Sequence, residues 1–427
     1  MGRDKSVLVQ LLSKTPLDFC NIKCLSDLFW TGFFFAVADC WSPVTRNPLP
    51  FLNFIIFTKY QLFCKVIQHL VTGSKKTIYL LLTMSKIFKH EGLFELESGK
   101  SVTNLHLSYT TIGTLNEQKD NVIWVFHALT ANDNPVEWWP GLVGEGFLFT
   151  PEKYFIVCVN TPGSCYGSIG PLEINAETGK PFYHNFPWFT TRDMIKAYQL
   201  LKEELGITKI KLGLGGSMGG QQLLEWAIDE PNLFEHIIPI ATNAKHSAWG
   251  IAFNASQRMC IESDCTWKEE HSHAGLQGMK TARSIALISY RNHDTYEHFQ
   301  HGITDKTATH SVDEQIFKAE TYQKYQGEKL AKRFNAFSYY ALSRGMDSHN
   351  VGRNRGSVKA ALKLIKAKAL VIGISTDLLF PVQEQAFIAQ HIPNAKHTVI
   401  ESLYGHDGFL LEYEQIEKAI RAFIDGI

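Results

Sequence analysis

The sequence of residues 209–231 is Lys-Ile-Lys-Leu-Gly-Leu-Gly-Gly-Ser-Met-Gly-Gly-Gln-Gln-Leu-Leu-Glu-Trp-Ala-Ile-Asp-Glu-Pro. Before the serine, apolar residues alternate as they do in a short β-strand. After it, they repeat at the spacing of a helix until Pro231. This stretch predicts a strand, a tight turn and a helix, with Ser217 at the turn. We expect the rest of the sheet to be arranged around that turn.

The turn contains Gly-Gly-Ser-Met-Gly at residues 215–219, which is the G-x-S-x-G pattern of a nucleophilic serine. Small neighbours allow the backbone to take the strained bend that exposes the serine hydroxyl. The start of the following helix offers unpaired N–H groups, which stabilise negative charge on a substrate oxygen. Glycine-flanked serines also occur in ordinary tight turns, but the strand–turn–helix setting favours a nucleophile.

The composition is that of an ordinary globular protein. Lys and Arg number 42 and so do Asp and Glu, so the charge indicates neither nucleic acid nor an anionic membrane as a partner. The eight cysteines include no close Cys-x-x-Cys pair, which favours reduced cysteines in a cytoplasmic protein. His271 and His273 have no third ligand at a suitable spacing, so we expect no metal site.

Residues 1–83 differ from the rest of the chain. They are rich in Phe and Leu but show neither helical nor strand periodicity. Their apolar runs, at 27–38 and 49–57, are shorter than the ~18 residues of a membrane span. Our hypothesis is that Met84 is the natural start and that residues 1–83 are mistranslated upstream sequence. A membrane-associating extension is the alternative, and the intact mass of the protein from its native source distinguishes the two.

After residue 83, predicted strands alternate with predicted helices. This pattern is typical of an α/β fold with a mostly parallel sheet and helices on both faces. Residues 122–126 form an apolar run of the kind that is buried on both faces. Alternation lapses at residues 250–354, where helical segments predominate, and we interpret this range as an inserted helical lid. Residues 84–249 and 355–427 then form the two parts of the core.

Two local predictions concern the first half of this core. The apolar runs at 93–96 and 105–109 are interpreted as an opening pair of antiparallel strands. Thr190 and Asp193 have the spacing of a capping box, which predicts that a helix begins after Thr190.

A nucleophilic serine needs a base to accept its proton and a third group to orient that base. In the α/β-hydrolase fold these partners follow in the order Ser, Asp or Glu, His, each after a later strand. Ser217, Asp377 and His406 have this order and this placement. Each of them alone has an ordinary structural interpretation, but together they predict a catalytic triad in an α/β-hydrolase fold.

The oxyanion hole of this fold uses the N–H of the residue after the nucleophile, which is Met218 here. A second N–H comes from an earlier loop at the end of a strand, and Leu129 is the best donor by position. We interpret the nearby His127 as a buried, hydrogen-bonded histidine and not as a catalytic one.

Several motifs together resemble one known family, the homoserine O-acetyltransferases. They include the glycine-rich serine turn with Leu-Glu-Trp-Ala after it, the loop at 127–130, Trp-Trp-Pro-Gly-Leu-Val-Gly at 138–144, and Gly-His-Asp at 405–407. The resemblance runs from about residue 90 to the end of the chain. It implies an α/β-hydrolase core with a helical lid, a homodimer formed through that lid, and a place in methionine biosynthesis.

The resemblance also implies a ping-pong mechanism with acetyl-CoA as co-substrate and no further cofactor. Ser217 would take the acetyl group from the thioester and pass it to the side-chain hydroxyl of L-homoserine. Among the residues that match the family, Arg283 would bind the carboxylate of the acceptor, since a guanidinium offers a planar pair of donors. Tyr290, seven residues on, would also bind the acceptor, and Asp407 would face the ammonium group of the acceptor. The sequence leaves open that Arg283 forms a salt bridge in the lid, that Tyr290 is a core aromatic residue, and that Asp407 only supports His406.

The sequence leaves the substrates open. Related enzymes use succinyl-CoA or L-serine, and few residues set this choice. A serine esterase would share every triad residue and differ only in accepting water. A non-enzymatic binding protein of the same fold is a third possibility, although such chains typically lack the serine or the histidine that this chain retains. At residues 131–133, Ala-Asn-Asp departs from the family pattern and could reshape the mouth of the acyl pocket.

Overall fold

A computed structural model of the chain describes residues 84–304 and 316–424. The hypothesis about residues 1–83 therefore lies outside the described residues. Within the described ranges, no helix combines the length and the apolar character that crossing a membrane requires.

The described part of the chain forms ten strands. They are β1 (Lys86–Lys89), β2 (Phe94–Glu95), β3 (Ser101–Val102), β4 (His106–Ile112), β5 (Val122–Phe126), β6 (Phe155–Val159), β7 (Ile210–Gly216), β8 (Phe234–Ile240), β9 (Lys368–Ile374) and β10 (Ala395–Ile400). Eight of them form one sheet with the order β1-β4-β6-β5-β7-β8-β9-β10, and β2 pairs separately with β3. All pairs from β6 to β10 are parallel, which confirms the predicted mostly parallel sheet.

The opening of the sheet differs from the prediction. We expected residues 93–96 to pair with 105–109, but β4 pairs antiparallel with β1, and Lys86 lies opposite Tyr109. The 93–96 run contributes β2, which pairs with β3 instead. Strand β1 is a largely exposed edge strand that begins and ends with lysine, as is common at sheet edges. It therefore lacks the apolar alternation by which a strand is recognised in a sequence.

The sheet has a hydrophobic core on each face, as the run in β5 predicts. Val122, Trp124 and Phe126 belong to one buried cluster. Ile123 and Val125 belong to the other cluster, on the opposite face. All five side chains are almost fully buried, so β5 lies at the centre of the fold.

Helices cover the sheet. They are α1 (Pro135–Trp138), α2 (Thr191–Glu204), α3 (Met218–Asp229), α4 (Ala248–Glu262), α5 (Leu276–Tyr290), α6 (His293–Gln300), α7 (Lys318–Ala331), α8 (Ala336–Asp347), α9 (Val358–Leu362), α10 (Val382–His391), α11 (Gly408–Leu411) and α12 (Tyr413–Phe423). Thr190 and Asp193 form the predicted capping box, in which the side chain of each accepts the backbone N–H of the other. This confirms that α2 begins after Thr190.

Helices α4 to α9 all lie between β8 and β9 in the chain, whereas a single helix, α3, connects β7 to β8. Helix α5 packs against both α4 and α7. The division into a core and a lid at residues 249 and 354 stays a prediction. Because β5, β7, β9 and β10 are parallel, the loops that follow them meet at one edge of the sheet.

Candidate active site

Ser217 lies at the turn between β7 and α3. Its backbone has φ 57° and ψ −125°, a conformation that residues with a side chain rarely adopt. The Ser217 N–H donates to the Ile240 carbonyl oxygen at 3.0 Å. The Ser217 carbonyl oxygen accepts from Thr242 Oγ1 at 2.8 Å. The end of β8 therefore holds the strained turn in place.

Two glycines make this turn possible by leaving room for backbone. A Cβ at Gly215 would lie 2.5 Å from the Gly219 carbonyl oxygen. A Cβ at Gly219 would lie 2.2 Å from the Phe126 carbonyl oxygen at the end of β5. Because both neighbours are backbone atoms, neither contact can be relieved by a side-chain rotation. The G-x-S-x-G pattern is thus required by the close approach of α3 to β7 and β5.

Asp377 and His406 form a buried pair at the same edge of the sheet. His406 Nδ1 lies 2.6 Å from Asp377 Oδ2. The other carboxylate oxygen of Asp377 accepts from the N–H groups of Leu379 at 2.8 Å and Phe380 at 2.9 Å. Because a carboxylate oxygen accepts hydrogen bonds and does not donate them, this contact orients the tautomer of His406 in which Nδ1 carries the hydrogen.

Phe409 brings the histidine and the serine turn together. Its ring centroid is 5.2 Å from that of His406. A Cβ at Gly216, the residue before Ser217, would lie 2.4 Å from the same phenylalanine ring. Within the described ranges, neither the Ser217 hydroxyl nor His406 Nε2 takes part in a hydrogen bond. The structure thus brings the three predicted triad residues to one edge of the sheet.

The two predicted oxyanion donors also lie at this edge. No acceptor within the described part of the chain pairs with the N–H of Leu129 or of Met218. Nearby, His127 Nε2 accepts from the Thr161 N–H at 2.9 Å, which leaves Nδ1 to donate to the Ala128 carbonyl oxygen at 2.8 Å. Burial lowers the pKa of His127 to about 4. His127 is therefore a neutral, hydrogen-bonded core histidine, as predicted.

Helix α5 places Tyr290 beside the histidine and Arg283 beside Tyr290. The ring centroids of Tyr290 and His406 are 5.6 Å apart. The Arg283 guanidinium lies 5.2 Å from the centre of the Tyr290 ring. Among the described residues, Arg283 has no ion-pair or hydrogen-bond partner, and its Nε is buried. A partly buried cation without a counter-ion suits an anionic substrate group.

Comparisons with known proteins agree with this geometry. A family profile described as alpha/beta hydrolase fold matches residues 121–413. The homoserine O-acetyltransferase of Cyclobacterium marinum is 48% identical over 346 residues, which cover 81% of this chain and 97% of that protein. The homoserine O-acetyltransferase of Chlorobaculum parvum is 40% identical over 334 residues, or 78% of this chain and 92% of that protein. The chain belongs to the homoserine O-acetyltransferase family.

Membership of this family confirms the predicted enzyme class, an acyltransferase with the α/β-hydrolase fold. Solved structures show the same fold. A homoserine O-acetyltransferase from Bacillus anthracis superposes with a TM-score of 0.73 at 22% identity, covering 80% of this chain and 98% of that one. Esterase E22 superposes with a TM-score of 0.72 at 23% identity, covering 80% and 99%. Because the fold is shared by a transferase and an esterase, it does not by itself decide what accepts the acyl group.

One contact is not anticipated by the family resemblance. Asp407 was predicted to face the substrate, and its Oδ2 lies 2.9 Å from Arg291 Nη2. The sequence analysis did not single out Arg291. It stands at the end of α5, 113 residues before Tyr404, and no local pattern signals a partner at such a separation. The role of Asp407 toward the acceptor stays a prediction.

The histidines considered as metal ligands lie outside the site. His271 Nε2 is 2.9 Å from Glu269 Oε2 on the exposed surface of the helical insertion. Within residues 84–304 and 316–424, no group of three His, Cys, Asp or Glu side chains is arranged to hold a metal ion.

Proposed function

We propose that the chain transfers an acetyl group from acetyl-CoA to the side-chain hydroxyl of L-homoserine, in methionine biosynthesis, through an acetyl-Ser217 intermediate. The observation that carries this proposal is the serine turn beside the buried Asp377–His406 pair, in a chain 48% identical to a named homoserine O-acetyltransferase. We also propose that acetyl-CoA acts as co-substrate and that no other cofactor is needed.

In the first half-reaction, Ser217 Oγ attacks the thioester carbonyl carbon while His406 Nε2 accepts its proton. The oxyanion that forms would be stabilised by the N–H groups of Leu129 and Met218. When the carbon–sulfur bond breaks, His406 returns the proton and CoA leaves as its free thiol. Asp377 holds the imidazole and stabilises its positive charge in both steps.

In the second half-reaction, the homoserine hydroxyl attacks the acetyl carbon as His406 accepts its proton. The bond to Ser217 Oγ breaks, and His406 returns the proton to the serine. Arg283 would bind the carboxylate of the acceptor with two parallel hydrogen bonds. Asp407 would face the ammonium group, as the family resemblance implies.

Ester hydrolysis is the second candidate, because an esterase superposes as well as a transferase does. Transfer requires that the acetyl-enzyme be shielded from water. The partly buried Arg283 and the aromatic packing of Tyr290 on His406 support such shielding. A succinyl donor and an L-serine acceptor are alternatives within the same mechanism.

We further propose a cytoplasmic homodimer formed through the lid. Apolar side chains of α4 and α5 support this, since Met259 is 64% exposed, Ile288 55% and Trp249 52%. Exposed apolar groups that form one contiguous patch commonly mark a protein interface, and we propose that these three side chains contribute to such a patch.

The test follows free CoA thiol from acetyl-CoA with the full chain, in the presence and absence of L-homoserine. We expect continuous release, beyond the first equivalent of thiol per enzyme, to depend on homoserine and to fall by a factor of about 10³ or more in Ser217→Ala. Ser263→Ala, at an exposed position at the end of α4, is the matched control. Continuous release over many turnovers without homoserine would identify water as the acceptor. Parallel reactions with succinyl-CoA and L-serine define the donor and the acceptor.

A further inference from the structure

The loop that carries His406 is held on one side by the core. We refer to residues 402–407 as the histidine loop. Thr376, which follows β9, donates through Oγ1 to the Ser402 carbonyl oxygen at 2.8 Å. The same Oγ1 accepts from the Gly405 N–H at 3.1 Å. With the Asp377–His406 contact, these bonds tie the loop to the end of β9.

The other side of the histidine loop is held by the junction of α5 and α6. Arg291 Nη1 donates to the Tyr404 carbonyl oxygen at 3.3 Å. Asn292 Nδ2 donates to the Leu403 carbonyl oxygen at 3.4 Å, and Thr295 Oγ1 donates to the same oxygen. We refer to Arg291, Asn292 and Thr295 as the lid clamp. The loop backbone is therefore bound by two separate parts of the chain.

An ion pair completes the lid clamp. Arg291 Nη2 lies 2.9 Å from Asp407 Oδ2, and the two side chains are only 16% and 19% exposed. Such a largely buried pair is less screened than a surface pair, and loss of one partner leaves the other charge without compensation. Gly405 allows the close approach, because a Cβ there would lie 2.8 Å from the Tyr290 carbonyl oxygen.

Helix α5 thus contacts the catalytic region at two points. Arg283 and Tyr290 lie on the helix beside His406, where the acceptor is proposed to bind. Arg291, immediately after the end of the helix, holds the histidine loop. Movement of α5 away from the core would displace the acceptor site and the base together.

We propose that Arg291 is a positioning residue. Its ion pair with Asp407 holds His406 in a fixed position relative to the acceptor site on α5. This rests on the proposed function for the identity of the acceptor, but the positioning of His406 also applies to the first half-reaction. It gives Asp407 a role that does not require an ammonium group on the substrate. A displacement of about 1 Å in a catalytic group can reduce a rate about 100-fold, so such a clamp has measurable consequences.

The charges around His406 make the pH dependence of acylation a suitable measurement. A purely structural role of Arg291 would not change it. Asp377 contacts its Nδ1, and Glu384 on α10 interacts electrostatically with Asp377. On the lid side, the groups that face it are Tyr290 with Arg283 behind it, and Arg291 paired with Asp407. In the wild type the charges of this last pair offset each other. Removing the cation leaves an anion that stabilises the imidazolium, and removing the anion leaves a cation that destabilises it.

The experiment compares Arg291→Met, Asp407→Asn, the double variant and Arg291→Lys in the full chain. Arg421→Met, which removes an exposed arginine from α12, is the control. Three quantities are measured: the rate of Ser217 acylation by acetyl-CoA without homoserine, the KM for homoserine, and the pH dependence of acylation. Hydrolysis of p-nitrophenyl acetate, which carries no ammonium group, is followed in parallel. Thermal denaturation checks that each variant is folded.

We expect each single variant to slow acylation by about 10- to 100-fold with either acyl donor. The double variant should be no slower than the slower single variant, because both changes break the same contact. The acid midpoint of the pH profile should rise in Arg291→Met, fall in Asp407→Asn and return in the double variant. Arg291→Lys should recover part of the rate, and it tests the contact if Arg291→Met fails to fold.

Acylation at the wild-type rate in both single variants would overturn the proposal. An Asp407→Asn variant that raises only the KM for homoserine would also overturn it, and would assign Asp407 to the acceptor. A wild-type protein that hydrolyses p-nitrophenyl acetate but does not acetylate homoserine would contradict the proposed function alone. The clamp would then still be tested on the ester.

Discussion

The turn that carries Ser217 is shaped by glycines within two residues of it, whereas the loop that carries His406 is held by side chains from a distant part of the chain. Around the serine, Gly215 and Gly219 allow backbone segments to touch. Around the histidine, the contacts come from the end of α5 and from the loop after β9. One half of the site is thus encoded locally and the other by tertiary contacts.

This difference has a physical consequence. The serine turn is tied to two central strands, so a change there disturbs the core of the fold. The histidine loop lies between the end of β9 and the junction of α5 and α6, so a change there disturbs the alignment of the base with a smaller effect on the sheet. Substitutions in the two regions should therefore separate loss of stability from loss of activity.

The largest effect is expected for Gly219→Ala. A Cβ there would lie 2.2 Å from the Phe126 carbonyl oxygen, so α3 must move away from β5. We expect the free energy of unfolding to fall by about 3 kcal/mol, with loss of acylation because Ser217 moves with the helix. Urea denaturation measures the first and thiol release the second. Gly92→Ala, at an exposed site where only the His90 side chain is close, should change neither. A stable and active Gly219→Ala protein would contradict the account of the turn.

A smaller loss of stability, with a clear loss of activity, is expected for Gly405→Ala. Gly405 has φ 62°, and a Cβ there would approach the Tyr290 carbonyl oxygen and the Arg291 backbone. We expect a cost of about 1–2 kcal/mol in the free energy of unfolding from the left-handed backbone conformation. Separation of the loop from α5 should slow acylation about 10-fold or more. A loss of stability equal to that of Gly219→Ala would show that the two regions do not differ in this way.

The smallest effect on activity is expected for Glu384→Gln, which alters charge near Asp377 without altering a contact to His406. Burial, and to a lesser degree the Asp377 carboxylate, raise the pKa of Glu384 to about 7. Because this pKa is raised on folding, the folded protein holds the proton more tightly, and stability falls as pH rises from about 4.5 to about 7. The glutamine variant lacks this titration. The melting temperature of the variant minus that of the wild type should therefore increase by a few degrees as pH rises over this range.

The Glu384 effect is measured as the difference in melting temperature between variant and wild type at pH 4 to 8. Glu414→Gln, at an exposed position of α12, should show no such trend. A constant difference over the whole pH range would mean that the pKa of Glu384 does not differ between the folded and unfolded states as described.

The features that could be predicted from the sequence are those set by residues close together in the chain or by the fixed order of the triad. The serine turn, the strand β5 and the capping box of α2 depend on residues close together in the chain, and the structure has each of them as predicted. Asp377 and His406 could be found because the order of residues in the α/β-hydrolase fold is fixed. Strand β1 was missed since an exposed edge strand has no apolar alternation. Arg291 was missed because only the fold brings it to Asp407.

The most direct test of the account locates the acetyl group itself. The full chain is mixed with acetyl-CoA alone, stopped with acid, digested and analysed by mass spectrometry, and L-homoserine is added to a second sample before the acid. We predict acetylation of Ser217 in the first sample, and in the second its loss together with formation of O-acetylhomoserine. Formation of O-acetylhomoserine with Ser217 never acetylated, or unchanged in Ser217→Ala, would contradict the central claim.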